Sequence, residues 1–134
     1  MAALWSKFLF VVSWGGVGAV TRAPIGVIRA LPQTRRMLER SMNEILSVAR
    51  GHHICLADDL VATTLNFIDT LPPGGTTSMQ RDIAEGRPSE IKAWNGAVVR
   101  LGEQAGVDAP LNKFIYDSLV PLEKKARGEL QFET

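Results

Sequence analysis

Hydrophobic residues recur along the chain at steps of three and four, the spacing that places them on one face of an α-helix. Glycines and prolines divide the pattern into helix-length segments. The segments predicted to be helical are 3–20, 24–30, 32–49, 58–71, 77–85, 89–105 and a last one following Asp108. No Asn-Gly or Asp-Gly pair lies between alternating apolar runs, so strands are not expected. We therefore predict an all-α fold of six to seven helices, one domain over residues 1–134.

The first predicted helix is apolar on almost every side, which is typical of a central helix covered by its neighbours. Gly15, Gly16 and Gly18 weaken its second half but allow another helix to approach closely. The apolar run from Phe8 to Trp14 is shorter than the roughly 20 residues of a membrane span. It also lacks a clean small-x-small cleavage site. Neither a membrane anchor nor a secretory signal is expected.

The third and last predicted helices have well-defined inner faces. The inner positions of the third are Thr34, Leu38, Met42, Ile45 and Ala49, and those of the last are Leu111, Phe114, Ile115, Leu119 and Leu122. Charged residues of the third helix, Glu44 among them, are expected to face water.

Several residues are candidates for helix boundaries. Ala57 or Asp58 is expected to cap the fourth helix, and Thr77 to Gln80 has the form of a capping box. Asp108 is a candidate cap for the last helix. Pro121 is expected to kink or shorten that helix, because proline removes a backbone donor.

Composition narrows the classes of function. The 134 residues are 46% hydrophobic and 22% charged, close to globular averages, which argues against disorder. A net charge of +1 provides no strong field for nucleic acid or an anionic membrane. The single Cys55 excludes an intrachain disulfide and favours a reducing, cytoplasmic location. Together with His52 and His53 it offers too few ligands for a closed structural zinc site, so no metal is expected.

Lys7 is the most unusual polar residue, because its neighbours one helical turn away are apolar. Partial desolvation of its ammonium would suit proton transfer near neutral pH. The alternative is a lysine whose stem covers apolar surface while its charge reaches water.

Other polar candidates also have two interpretations. Glu90 is either functional or a first-turn carboxylate that favours the helix dipole. Ser78 is either functional or part of a helix cap. His52 and His53 follow a helix C-terminus, where an imidazolium is favourable without any catalytic or metal-binding role. The glycines of 15–18 do not satisfy the dinucleotide-binding pattern G-x-G-x-x-G, and no strand precedes them.

Three motifs resemble the C-terminal domain of ketopantoate reductase (2-dehydropantoate 2-reductase), a fold shared with 6-phosphogluconate dehydrogenase-like enzymes. The first is Leu4-Trp5-Ser6-Lys7-Phe8-Leu9 followed by Pro24-Ile25-Gly26. The second is Thr77-Ser78-Met79-Gln80-Arg81-Asp82-Ile83, followed by Gly86-Arg87-Pro88-Ser89-Glu90-Ile91. The third runs from Asn95-Gly96-Ala97-Val98-Val99-Arg100-Leu101-Gly102 to Gly106-Val107 and Pro110. The resemblance extends from about residue 4 to residue 123.

The resemblance implies roles for three residues. Lys7 matches the family's catalytic lysine, the proton donor to the ketone oxygen as a nicotinamide hydride adds to the carbon. Glu90 matches the active-site glutamate that holds substrate and orients the site, and Ser78 matches the substrate-binding serine. The implied function is the catalytic and substrate domain of an NADPH-dependent reductase in pantothenate biosynthesis. The alternative within the family is a close relative that acts on another 2-oxo acid.

Two departures from the family matter. Many members carry asparagines where this chain has Val11 and Gly15, which leaves the exact 2-oxo acid open. The N-terminal Rossmann domain, which binds most of the NADP, is absent from this chain, so the chain alone is expected to be inactive. Surface that this domain would cover is expected to drive formation of a homodimer or higher species. The alternative function is non-enzymatic: a stand-alone helical domain for dimerisation or partner binding.

Overall fold

A computed structural model describes residues 1–133, and within them the chain forms seven α-helices and no strand. The helices are α1 (Ala2–Thr21), α2 (Ile25–Ala30), α3 (Pro32–Gly51), α4 (Leu60–Ile68), α5 (Ser78–Ala84), α6 (Asn95–Ala105) and α7 (Pro110–Ala126). The predicted all-α fold is confirmed.

Helix α1 is the centre of the fold and packs against α2, α3, α5 and α7. Its glycines lie where neighbours come closest: a methyl group added to Gly16 would lie 2.7 Å from Nδ2 of Asn95. Gly18 likewise faces the side chain of Gln80. By length and composition alone the 20 residues of α1 could cross a membrane, although the run from Phe8 to Trp14 on its own is too short. Half of the most apolar stretch of α1 is buried inside the fold, as in the core helix of a globular domain.

Helix α3 presents its predicted inner face to the core. Leu38, Met42, Ile45 and Ala49 are fully buried and Thr34 is partly buried. The prediction that Glu44 faces water is wrong. Its buried carboxylate accepts hydrogen bonds from the backbone N–H groups of Leu111 and Asn112, both at 2.9 Å.

Glu44 therefore caps α7 from another helix. The predicted cap Asp108 does not fill this role, because the N-cap position is Ala109 and no side chain of its own segment caps the helix. Pro121 lies inside α7 without ending it, and the helix continues to Ala126. Buried Leu119 and Glu123 on either side of Pro121 hold this part of α7 against the fold.

The exposure of Phe114 corrects a further prediction for α7. Ile115 and Leu119 are buried as expected, and Leu111 and Leu122 are partly buried. Phe114 is 68% exposed, because the adjacent Ile115 occupies the inward position at this level of the helix.

Of the predicted caps of α4 and α5, the first is wrong and the second is confirmed. Helix α4 begins at Leu60, and Asp58 does not cap it but pairs with Arg50, with Nη2 2.7 Å from Oδ1. The Thr77 cap of α5 is confirmed, since its hydroxyl accepts the Gln80 N–H at 3.1 Å. Only half of the capping box forms, because the Gln80 side chain donates instead to the Ala23 carbonyl at 2.9 Å.

Helix α6 begins at Asn95, six residues later than predicted. Residues 91–94 form a turn in which the Ile91 carbonyl accepts the N–H of Gly96, five residues on, at 3.0 Å. The Ser89 hydroxyl accepts the Ile91 N–H at 3.2 Å, which satisfies a donor outside a regular helix. Glu90 therefore lies in a turn, and the prediction that it starts a helix is wrong.

Candidate functional site

Lys7 projects from the N-terminal half of α1 and is exposed to solvent. Of the two interpretations of Lys7, partial burial among apolar neighbours is wrong for this chain: Lys7 is exposed, and so is Leu4, one turn before it. Within residues 1–133 its ammonium forms no ion pair or hydrogen bond. The charge is available to a molecule outside the domain.

Ser78 and Glu90 are also exposed. Ser78 is the first residue of α5, and the cap of that helix is the hydroxyl of Thr77, so the Ser78 hydroxyl has no capping role. Glu90 stands in the turn before α6. In the described part of the chain neither side chain takes part in a hydrogen bond.

Gly15 marks the point where the elements carrying these residues meet. A methyl group added there would lie 2.8 Å from Cζ3 of Trp94 and 3.2 Å from Cε of Met79. Met79 follows Ser78, and the Trp94 amide donates to the Glu90 carbonyl at 2.9 Å. Gly15 is eight residues after Lys7, or about 12 Å along the axis of α1. The structure thus joins the segments of Ser78 and Glu90 to α1 and places Lys7 further along the same helix.

A buried carboxylate, Glu123 of α7, fixes the residue before Glu90. It accepts the N–H of Ser89 at 2.8 Å and the hydroxyl of Ser89 at 2.9 Å. Arg127 donates to the other oxygen of Glu123 at 2.7 Å. Sequence reasoning missed this contact, because a Glu and an Arg four residues apart are equally typical of a solvent-exposed ion pair.

A second buried polar cluster holds α6 to α3 and α7. The Asn112 Oδ1 accepts from Asn95 Nδ2 at 3.0 Å and from the Ser41 hydroxyl at 3.2 Å. The Asn112 side-chain amide donates to Glu44 at 2.9 Å. Asn95 is the first residue of α6, so this cluster anchors the helix end that follows the Glu90 turn.

Two exposed apolar side chains lie on or against the N-terminal half of α1, the part of the helix that carries Lys7. Leu4 is 64% exposed and Phe67 of α4 is 53% exposed. Phe10, one turn after Lys7, packs edge-on against Phe67 with ring centroids 5.4 Å apart. An ammonium next to exposed apolar surface is suited to a site that closes when another surface covers it.

Within the described residues, the glycines of α1 do not form a dinucleotide-binding loop. Gly15, Gly16 and Gly18 lie inside α1, where they contact other helices rather than form a phosphate loop. Residues 1–133 contain no strand–turn–helix unit that could place a pyrophosphate at a helix N-terminus. Within the same residues, no cluster of three or more His, Cys, Asp or Glu could hold a metal.

The two histidines lie directly after α3, where the chain leaves the helix. His52 Nε2 lies 2.7 Å from the carbonyl of Leu101, which ties the end of α3 to α6. His53 adopts a positive φ of 62°, a backbone conformation found in turns. These positions favour the structural interpretation of the pair.

The chain resembles known proteins over almost its whole length. Residues 1–123 match the family described as ketopantoate reductase PanE/ApbA C terminal. A 2-dehydropantoate 2-reductase of Nostoc sp. is 27% identical over 131 residues, 97% of this chain and 41% of the relative. That of Caulobacter vibrioides is 32% identical over 113 residues, 83% of this chain and 38% of the relative.

A solved structure shows the same fold. The PanE/ApbA family ketopantoate reductase from Ralstonia eutropha matches with a TM-score of 0.84 and 28% identity, over 94% of this chain and 42% of that one. The chain spans about two-fifths of the length of the curated relatives it matches. The resemblance carried by the motifs around Lys7, Ser78 and Glu90 is confirmed, and the chain belongs to the family of ketopantoate reductase C-terminal domains.

Proposed function

We propose that this chain is the substrate-binding and catalytic domain of an NADPH-dependent oxidoreductase that reduces a 2-oxo acid to a 2-hydroxy acid. The substrate is 2-dehydropantoate or a close relative. The main observation that supports this proposal is that Lys7, Ser78 and Glu90 are all exposed. Within residues 1–133 their side chains form no hydrogen bond or ion pair. A lysine, a serine and a glutamate left available in this way are suited to a ligand outside the domain.

Lys7 is proposed to stabilise charge and donate a proton. When a ketone is reduced, negative charge develops on its oxygen, and an adjacent ammonium stabilises that charge. The ammonium then gives a proton to the oxygen, which completes the hydroxyl group. NADPH, held outside this chain, would supply the hydride. Lys7 is exposed on a part of α1 that also carries exposed Leu4 and packs against exposed Phe67 through Phe10. This supports the role, because a covering domain would exclude water there.

Glu90 and Ser78 are proposed to hold the substrate. Both side chains can accept a hydrogen bond from a substrate hydroxyl, and the serine can also donate one to a carboxylate. Their backbones are fixed by neighbours: Thr77 caps α5 next to Ser78, and Glu123 binds Ser89 next to Glu90. Fixed backbones favour a preorganised site.

Val11 and Gly15 are proposed to influence which 2-oxo acid is accepted. Both stand where many family members carry asparagine, and neither residue has a side-chain group that can donate a hydrogen bond. At Gly15 a larger side chain would meet the Trp94 ring, so the packing of this chain leaves no room for an asparagine there. A 2-oxo acid that needs no hydrogen bond from these two positions would suit such a site.

The partners proposed are a small 2-oxo acid and a dinucleotide-binding domain of Rossmann type, in the cytoplasm. The exposed apolar side chains of Leu4 and Phe67 mark the surface that this domain would cover. The same exposed surface favours the second candidate function, in which the domain dimerises or binds a partner without catalysis. Without a covering domain we expect the chain to form a homodimer or higher species and to be inactive.

The test joins this chain to the dinucleotide-binding domain of the Caulobacter vibrioides relative. NADPH oxidation is then followed against a panel of 2-oxo acids, with each domain alone as a control. We expect turnover of at least one 2-oxo acid by the joined protein and none by the separate domains. The non-enzymatic function would be favoured if the joined protein folds and binds NADPH but none of the 2-oxo acids in the panel supports NADPH oxidation.

A further inference from the structure

We infer that Glu123 is a positioning residue for Glu90: its buried carboxylate, bonded to Ser89, fixes the turn that carries Glu90. The inference rests on the proposed function for the part that Glu90 plays in binding substrate. The contact between Glu123 and Ser89 lies entirely within this chain, so it can be tested without a second domain.

The Glu123 carboxylate is surrounded by donors. Glu123 is only 9% exposed, and Oε1 accepts both the N–H and the hydroxyl of Ser89, at 2.8 and 2.9 Å. Its Oε2 accepts the Arg127 Nε at 2.7 Å and lies 3.2 Å from the same Ser89 N–H. Arg127 also reaches the Ser89 carbonyl, at 3.4 Å. A carboxylate has acceptors only, so it matches this set of donors as no neutral side chain can.

These contacts determine where Glu90 stands. The Glu90 side chain has no hydrogen-bond partner in residues 1–133, so its position depends on its backbone. That backbone is held on one side by Ser89 and on the other by the buried Ile91, whose N–H bonds to the Ser89 hydroxyl. The Glu90 carbonyl accepts the Trp94 N–H and closes the turn.

The turn also has room to move when the contact is lost. A cavity of about 420 Å³ lies beside it, lined by Ile91, Tyr116, Glu123 and Arg127 among others. Substitution of Glu123 is therefore expected to displace the turn locally. The clusters that hold the rest of α6 to α3 do not involve Glu123.

The first test uses the joined two-domain protein with Glu123→Gln, which preserves size but places an amide N–H₂ among donors. We expect the KM for the 2-oxo acid to rise about fivefold to tenfold, with kcat changed less than about threefold. In a Glu90→Ala background the same substitution should add no further rise, because residues that act through one another are not additive. Glu129→Gln is the control, since Glu129 lines the same cavity but is exposed.

The second test measures hydrogen exchange in this chain without any second domain. We expect the amides of Ile91 and Trp94 to exchange faster in Glu123→Gln, and those of α3, such as Ile45, to keep their protection. Ser89→Ala removes the hydroxyl that donates to Glu123 and that also accepts the Ile91 N–H. In this variant the readout is therefore the Trp94 amide, whose own acceptor is unchanged. It should exchange faster, to a smaller extent, which covers the case of a Glu123 variant that does not fold.

Additive effects of Glu123→Gln and Glu90→Ala on KM would overturn the inference, as would unchanged exchange at Ile91 and Trp94. If the unsubstituted joined protein has no activity, the proposed function fails by itself. Exchange then decides the structural part: faster exchange of the turn supports the role of Glu123 in fixing it, and unchanged exchange contradicts it.

Discussion

The carboxylate oxygen Oε1 of Glu44 accepts two hydrogen bonds from Asn112, one from the backbone N–H and one from the side-chain amide, both at 2.9 Å. One residue of α3 thus caps the start of α7 and orients the asparagine that bonds to Asn95 at the start of α6. The relationship sets three helices in register around a buried polar cluster. Such a cluster is costly to disrupt, because each lost partner leaves a buried group unsatisfied.

Glu44→Ala should lower the free energy of unfolding by about 2–4 kcal/mol, since it leaves the N–H groups of Leu111 and Asn112 without their acceptor. Urea denaturation of the chain measures the change. Glu39→Ala is the matched control, because Glu39 is on the same helix but exposed, and it should stay within about 0.5 kcal/mol of the unsubstituted chain. Equal effects of the two substitutions would show that the capping contact contributes little.

Gly15→Ala should also destabilise the domain. The added methyl group would lie 2.8 Å from the Trp94 ring, and overpacking of this kind costs about 1–3 kcal/mol, offset by about 1 kcal/mol of gained helix propensity. Gly74→Ala is the control, because nothing lies within 4 Å of its added methyl group. Thermal denaturation compares the two variants. A Gly15→Ala protein as stable as the Gly74→Ala protein would mean that Trp94 moves aside easily.

The periodicity of apolar residues is enough to predict the all-α fold, the central position of α1 and the inner face of α3, because burial of apolar surface determines all three. The start of α6 could not be predicted. Residues 89–94 have a helical apolar pattern, but the Ser89 hydroxyl and an i+5 hydrogen bond at Ile91 favour a turn. Local sequence pattern does not predict side-chain contacts between segments that are far apart in the chain. The contacts of Glu44 with Asn112 and of Glu123 with Ser89 are both of this kind.

The ion pair of Arg35 and Asp69 should make a small contribution to stability that depends on pH. Two hydrogen bonds from the guanidinium, 2.8 and 3.0 Å long, lower the pKa of the Asp69 carboxyl below its usual value, against a weaker opposing effect of burial. A lowered pKa in the folded state stabilises the protein above the unfolded pKa, and this stabilisation is lost as pH falls through the folded value.

Because the two side chains are 35% and 45% exposed, the pair should contribute less than about 1 kcal/mol. Asp69→Asn should lower the free energy of unfolding by this amount near neutral pH. The difference from the unsubstituted chain, measured by urea denaturation, should shrink as the pH falls below about 4. A difference that stays constant or grows on acidification would contradict this assignment.

Glu90→Ala in the joined two-domain protein should raise the KM for the 2-oxo acid and lower kcat as well. The expected reason is that the carboxylate binds the substrate in the ground state and orients it for reaction. Ser78→Ala should mainly raise KM, by about tenfold for one lost hydrogen bond. Steady-state kinetics separates the two variants. Unchanged KM in both would remove these residues from the substrate site.

The candidate site could be predicted only in part. Motifs around Lys7, Ser78 and Glu90 identified the family, but the pattern of apolar neighbours could not decide between a partly buried and an exposed Lys7, and the residue is exposed. Helical periodicity indicates which residues surround a side chain on its own helix. It does not show whether a second element covers them, and in this chain α1 leaves Leu4 and Lys7 exposed.

The most direct test of the central claim is the kcat of Lys7→Ala in the joined two-domain protein, measured as NADPH oxidation with the best 2-oxo acid. If Lys7 stabilises the developing charge and donates the proton, kcat should fall by about 10²–10⁴-fold, with KM changed little. Lys113→Ala, which removes an exposed lysine of α7, should leave kcat unchanged. A folded Lys7→Ala protein that keeps more than about half of the original kcat would contradict the role of Lys7, since general acid catalysis is worth far more than twofold.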